Sequence, residues 1–204
     1  MDFRFGLFLY VVIVLSAVFH EFAHALVAYR LGDTTAKDAG RLTLNPFVHL
    51  DPLGTVIVPL LLMFTSGIFI GWAKPVPYNP YALRDRKYGS LKVGIAGPLS
   101  NFIIAIVLGI IIRLSGSFEV ASPIFLQFLG LIVSVNIFLA IFNLLPFPPL
   151  DGSKVFADLF PNVSRSFMQL GFLGIFIALF LAFFVLSPIA DFLFWIIVGG
   201  SLAL

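Results

Sequence analysis

The chain has 204 residues, 60% of them hydrophobic and 11% charged, with 25 Phe and a net charge of +2. A soluble domain carries about 25% charged residues, so this composition excludes an ordinary soluble enzyme, and the small net charge points to no nucleic-acid partner. With 0 cysteines, disulfides and thiolate ligands are excluded, so any zinc ion must be held by His, Asp or Glu.

Uncharged apolar stretches recur at 52–73, 93–112, 120–150 and 166–190, after a first apolar segment at 5–29 that holds one charge. Lipid leaves the backbone no water to bond, so such stretches are expected to be helices. The expected fold is an all-α polytopic membrane protein of five to six hydrophobic segments, with a re-entrant element and a small membrane-associated β element. One integral-membrane domain is expected over 1–204, with a core at 5–160 and C-terminal membrane helices at 166–204. The first apolar segment has no small-residue cleavage site and is expected to be retained. No internal repeat is visible.

Residues 5–29 contain a single charged side chain, Glu21, inside His20-Glu21-Phe22-Ala23-His24. On a helix, His20 and His24 stand four apart and share a face. Two imidazoles can then hold one zinc ion while the adjacent glutamate reaches the attacking water. Ionisable groups in a membrane segment are costly and mark functional sites.

Residues 33–46 mix Thr, Leu, Lys and Asp around Gly40 and are expected to be strand-like. The only other histidine, His49, suits an interfacial loop or the mouth of a water channel. Segment 52–73 is interrupted by Pro59 and Gly67. In Gly71-Trp72-Ala73-Lys74-Pro75-Val76-Pro77, the two alternate prolines lack N–H groups, as in an edge strand. Trp72, Lys74 and Val76 are therefore candidates for holding an unwound substrate backbone. The alternative is an interfacial loop in which Trp72 anchors and Lys74 snorkels.

Residues 93–115 are expected to be one helix, with Gly97-Pro98 in its early turns. The long run 120–150 ends in Asn143-Leu144-Leu145-Pro146-Phe147-Pro148-Pro149-Leu150-Asp151-Gly152, where the prolines must bend or end the helix. A catalytic zinc takes about three protein ligands, and Asp151 is the favoured third. It could instead cap the segment 152–160, with His49 and Asp158 as rival ligands. Residues 166–186 are expected to form one span and 188–204 a second, short one, separated by Ser187-Pro188.

Together these motifs resemble the site-2 protease family of intramembrane zinc metalloproteases, in its small prokaryotic form without a PDZ-like or nucleotide-sensing domain. The resemblance runs from about residue 10 to residue 160; the small prokaryotic form is marked by Arg41-Leu42-Thr43-Leu44-Asn45-Pro46 and Asp51-Pro52-x-Gly54-Thr55, and the family by three features. These are His20-Glu21-x-x-His24, Gly97-Pro98-Leu99-Ser100-Asn101, and Asn143-x-x-Pro146 leading to Asp151-Gly152. It implies one zinc ion per chain, held by His20, His24 and Asp151, with Glu21 as general base and Asn143 binding the substrate backbone. It also implies a transmembrane-protein substrate, a lipid bilayer around the chain and a prokaryotic cell membrane.

The ligands constrain topology. A helix entering the bilayer at Phe5 carries His20 about 22 Å along, near the far side of a hydrocarbon core about 30 Å thick. Asp151 also lies at the end of its run, so both runs must point the same way. One segment between them must fail to cross, and the proline-interrupted 52–73 is the expected one. Charge agrees: with 52–73 re-entrant, Lys and Arg divide 10 against 2, and with 52–73 spanning they divide 8 against 4. The positive-inside rule then puts the N-terminus outside and the zinc toward the cytoplasm.

Overall fold

The computed structural model describes residues 3–66, 71, 73–117 and 122–200. They form two compact units, residues 1–89 and 90–204. Among the described residues, all regular structure is helical.

In the first unit, α1 runs from Phe3 to Arg30 without interruption. Its buried positions Val12, Ser16, His20, His24 and Ala28 recur at every fourth residue. Leu7, Val11, Leu15 and Phe19 repeat at the same spacing and are exposed. A polar-lined buried face with apolar side chains turned outward suits a helix bathed in lipid. The helix ends at Gly32, whose φ of 102° lies in the left-handed region that favours glycine.

Two short helices follow, α2 (Thr35–Asp38) and α3 (Pro46–His49). Side chains rather than apolar patterning start them. Asp33 accepts the Thr35 N–H at 3.0 Å, and Asn45 accepts the Phe47 N–H at 3.1 Å. The strand expected over 33–46 is absent, because these caps satisfy backbone donors that a strand would leave for a neighbour. Asp51 accepts from the Leu53 and Gly54 N–H groups at 3.0 and 2.7 Å. It thereby starts a π-helical stretch, Pro52–Ile57, that continues into α4 (Val58–Ser66). The following Lys74–Asn79 has no regular structure, and the edge strand expected there is not formed among the described residues. Trp72 and Gly67 lie outside the described residues.

In the second unit, α5 (Gly89–Ser117) runs through Pro98, and α6 (Pro123–Asn143) starts at Ser122, whose hydroxyl accepts the Phe125 N–H at 3.3 Å. The amphipathic helices α7 (Gly152–Leu159) and α8 (Pro161–Met168) follow, joined by contacts of Phe156 with Phe160 and Phe167. Next come α9 (Phe172–Leu181), a π-helical turn over Ala182–Leu186, and α10 (Ser187–Val198). These last three make one continuous apolar helix, Leu173–Val198. The separation expected at Ser187-Pro188 does not occur. The widened turn absorbs the proline's missing N–H, and the Ser187 hydroxyl donates to the Ala182 carbonyl at 3.2 Å. Ala105 and Ile112 of α5, Val133 and Ile137 of α6, and Phe194 and Val198 of α10 form the unit's core.

Four helices among the described residues are long and apolar enough to cross a membrane: Arg4–Arg30, Gly89–Ser115, Pro123–Asn143 and Leu173–Val198. The apolar stretch Pro52–Leu62 falls short of that length.

Candidate metal centre

The first unit presents two nitrogen donors on one helix. His20 and His24 are both 6% exposed, and their ring centroids lie 4.7 Å apart at an interplanar angle of 79°. Spacing of four residues puts them one above the other on the buried face of α1. Glu21, between them, is half-buried. Its Oε2 accepts the backbone N–H of Val76 at 2.8 Å, across 55 residues of sequence. The buried imidazole pair with an adjacent carboxylate fits a zinc ion, because neutral imidazole is a standard zinc donor and the chain has no thiolate.

The segment that reaches Glu21 is tied down on both sides. The Lys74 N–H donates to the His49 carbonyl at 3.0 Å, and the Arg41 guanidinium donates to the Lys74 carbonyl at 3.3 Å. Further on, the Asn79 N–H donates to Asp33 Oδ2 at 2.6 Å. Asp33 also accepts from the Thr35 hydroxyl and N–H. Burial pushes the Asp33 carboxyl up. The hydrogen bonds from Thr35 and Asn79 outweigh it and hold the group below its ordinary value. These partners explain why the segment offers no free donor edge: the N–H groups of Lys74 and Val76 both bond within their own unit. Sequence reasoning missed Asp33, and Arg41 entered it only as part of the Arg41-Leu42-Thr43-Leu44-Asn45-Pro46 motif. Their signal was an acidic and a basic residue that the structure buries to 1% and 7%.

His49 is 1% exposed, and its Nε2 lies 2.8 Å from the Thr43 carbonyl. A carbonyl only accepts, so Nε2 donates. The ring is therefore an internal prop of the 43–49 loop.

In the second unit, Asp151 is 7% exposed, and its Oδ1 meets the Lys154 ammonium at 2.8 Å. It stands at the start of α7 but makes no side-chain cap bond there. The alternative capping role is therefore not the one its carboxylate performs. Gly152 fixes the turn: a Cβ there would lie 2.1 Å from the Leu144 carbonyl oxygen and 2.4 Å from that of Leu145. Gly94 of α5 gives room on the other side, its Cβ direction facing the Asp151 carbonyl oxygen at 3.1 Å. Asp158 is engaged elsewhere, accepting the Leu91 N–H at 2.7 Å near the start of α5. Asn143, at the end of α6, turns its amide back to the Leu139 carbonyl at 2.9 Å.

The chain is similar to known proteins over most of its length. The model of Peptidase family M50 matches residues 8–187. A Bacillus subtilis (strain 168) protein, provisionally named zinc metalloprotease YwhC, is 39% identical over 197 residues, 92% of this chain and 84% of that protein. Rip2 of Mycolicibacterium smegmatis, also provisionally named a zinc metalloprotease, is 31% identical over 72% of this chain and 56% of its own length. Zinc metalloprotease MJ0392 of Methanocaldococcus jannaschii is 30% identical over 72% of this chain and 32% of its own length. No solved structure matches the chain significantly.

Proposed function

The chain belongs to Peptidase family M50, the site-2 protease type, and from that premise we propose that it cuts a peptide bond in or beside a transmembrane segment of another membrane protein. As a member it is a zinc metalloendopeptidase. The observation that carries the intramembrane reading is the buried His20 and His24 pair with Glu21 between them, inside an apolar helix long enough to span a bilayer.

His20, His24 and Asp151 would hold the zinc ion. All three are buried. Asp158 accepts the Leu91 N–H, and His49 props Thr43. A zinc ion held by these residues would supply Lewis acidity, acidifying a water toward a pKa of about 7 and favouring attack on a carbonyl. Glu21 takes the proton of the attacking water and later delivers it to the leaving amine. Asn143, at the mouth of the proline turn, would hold the substrate backbone. A helical substrate has its backbone groups paired, so it must unwind locally before its carbonyl is open to attack.

Segment 52–73 would dip into the membrane and return. The support is internal to the first unit. Arg84 N–H donates to the Leu31 carbonyl at 2.8 Å and Asn79 N–H to Asp33 at 2.6 Å. The chain leaving the segment therefore returns beside the end of α1, and the Lys74 N–H bond to the His49 carbonyl at 3.0 Å draws it back to the residues that precede the segment. The basic residues then put that end on the cytoplasmic side of a prokaryotic cell membrane.

The test compares membrane proteomes of cells carrying the wild type or Glu21→Gln. A membrane protein shortened only in wild-type cells is expected. If none is found, the intramembrane reading fails; if the variant retains activity within about tenfold, the base assignment fails, since such a role is worth at least 10².

A further inference from the structure

We infer that Lys74–Asn79 is an orienting strap for the base, with the Val76 amide acting as a positioning group for the Glu21 carboxylate. The inference rests on the reading of Glu21 as general base.

A glutamate side chain on a helix has three rotatable bonds. A general base works only when its oxygen meets the attacking water within about 3 Å, so a freely rotating carboxylate forfeits rate. Here one oxygen, Oε2, is held at 2.8 Å by an amide that is not part of the helix. Holding Oε2 restricts the rotation of the carboxylate and leaves Oε1 as the oxygen that takes the proton.

The strap can do this because it is itself held. The backbone of Lys74 is bonded through both its N–H, to His49, and its carbonyl, by Arg41. Asn79 is bonded to the buried Asp33. The sequence between these anchors is Pro75-Val76-Pro77-Tyr78. The flanking prolines restrict φ on either side of Val76 and have no N–H of their own. A single donor is thus left in the stretch 75–77, aimed at Glu21. A strap meant only to cover the site would not need this arrangement.

The same prolines supply the measurement. Val76 carries the only exchangeable backbone amide in 75–77, so the difference in exchange between overlapping peptides that do and do not include 75–77 reads that one bond. In zinc-loaded and in chelator-treated protein, Glu21→Ala should speed exchange at Val76 by about ten- to hundredfold, the range for a hydrogen bond to a charged group. Unchanged exchange overturns the contact.

Kinetics then test positioning. Measured on the membrane protein that the wild type shortens, Val76→Pro should lower kcat about tenfold or more. KM, zinc content and melting temperature should hold. In a Glu21→Asp background, where the carboxylate is one methylene short of the amide, Val76→Pro should change kcat by less than about twofold. Equal slowing in both backgrounds, or no slowing in the wild type, overturns the positioning role. Full activity in Glu21→Gln would instead remove the base itself, a distinct failure. Should Val76→Pro not fold, the exchange experiment decides alone.

Discussion

Asp151 and Asp158 sit seven residues apart and look alike in sequence, yet their surroundings divide them. Asp158 receives the Leu91 N–H near the start of α5, where a carboxylate satisfies an orphan donor and complements the helix dipole. Asp158→Ala should lower stability by about 1 kcal/mol and leave zinc content unchanged. Asp151, buried and not engaged as a cap, should behave in the opposite way. Asp151→Ala should lose zinc in metal analysis of the purified protein, and Asp151→Asn should weaken it, because the amide keeps the shape without the charge. Zinc unchanged in both variants would return the third ligand to the rivals. Asp33 gives a prediction in pH. Its folded-state carboxyl titrates below the ordinary 3.8. Its stabilising contribution is therefore complete above that value and is lost as the pH falls through the lower, folded-state one. The melting-temperature gap between wild type and Asp33→Asn should be constant from pH 7 to about pH 4 and shrink below. A gap that widens in acid would mean the sign is wrong.

The elements differ in how far sequence alone reached them. The zinc motif was legible because a helix turns spacing into proximity: His20 and His24 needed only the four-residue period to share a face. The long apolar helices were legible because hydrocarbon thickness sets their length. What was not legible depended on partners far away in sequence or on local caps. The Thr- and Leu-containing 33–46 has strand propensity, but the Asp33 and Asn45 side chains take up backbone N–H groups where short helices start. Pro188 looked like a boundary, and one π-helical turn absorbed it. Val76 was singled out for its N–H, but its partner is Glu21, 55 positions away, and no spacing rule reaches that far. At this scale, Asn101 of α5 and Asn136 of α6 make a testable joint. Both are 0% exposed, and the Asn101 amide donates to the Asn136 carbonyl oxygen at 2.8 Å. Asn136 in turn donates to the Ile132 carbonyl at 2.9 Å. Replacing one by Leu leaves the other amide buried without this partner and should cost about 1–2 kcal/mol. Replacing both should cost less than either alone, and thermal unfolding in detergent would show it. A double variant as unstable as the sum would mean that the pair is not a coupled unit.

Over the molecule as a whole, the question is which ends of the chain share a side of the membrane. If Pro52–Ser66 and its continuation crossed, Thr34 and Asn79 would emerge on opposite faces, about 30 Å of hydrocarbon apart. The Asp33 carboxylate accepts the Asn79 N–H at 2.6 Å, and no bilayer fits across that distance. Thr34 and Asn79 are both exposed, and the chain has no cysteine to confuse labelling. Cysteines introduced singly at these positions should therefore react with a membrane-impermeant maleimide from the same side, the cytoplasmic one. Thr34→Cys replaces the hydroxyl by a thiol, drops a methyl group and gives up one exposed side-chain bond, to Asp38 Oδ2 at 2.7 Å. Asn79→Cys keeps the backbone N–H that Asp33 accepts and loses only the side-chain bond to the Tyr81 N–H. Labelling from opposite faces would break the re-entrant reading of 52–73. It would also remove the ground for placing His20 and His24 at the cytoplasmic end of α1, and with it the side from which water and substrate are proposed to reach Glu21.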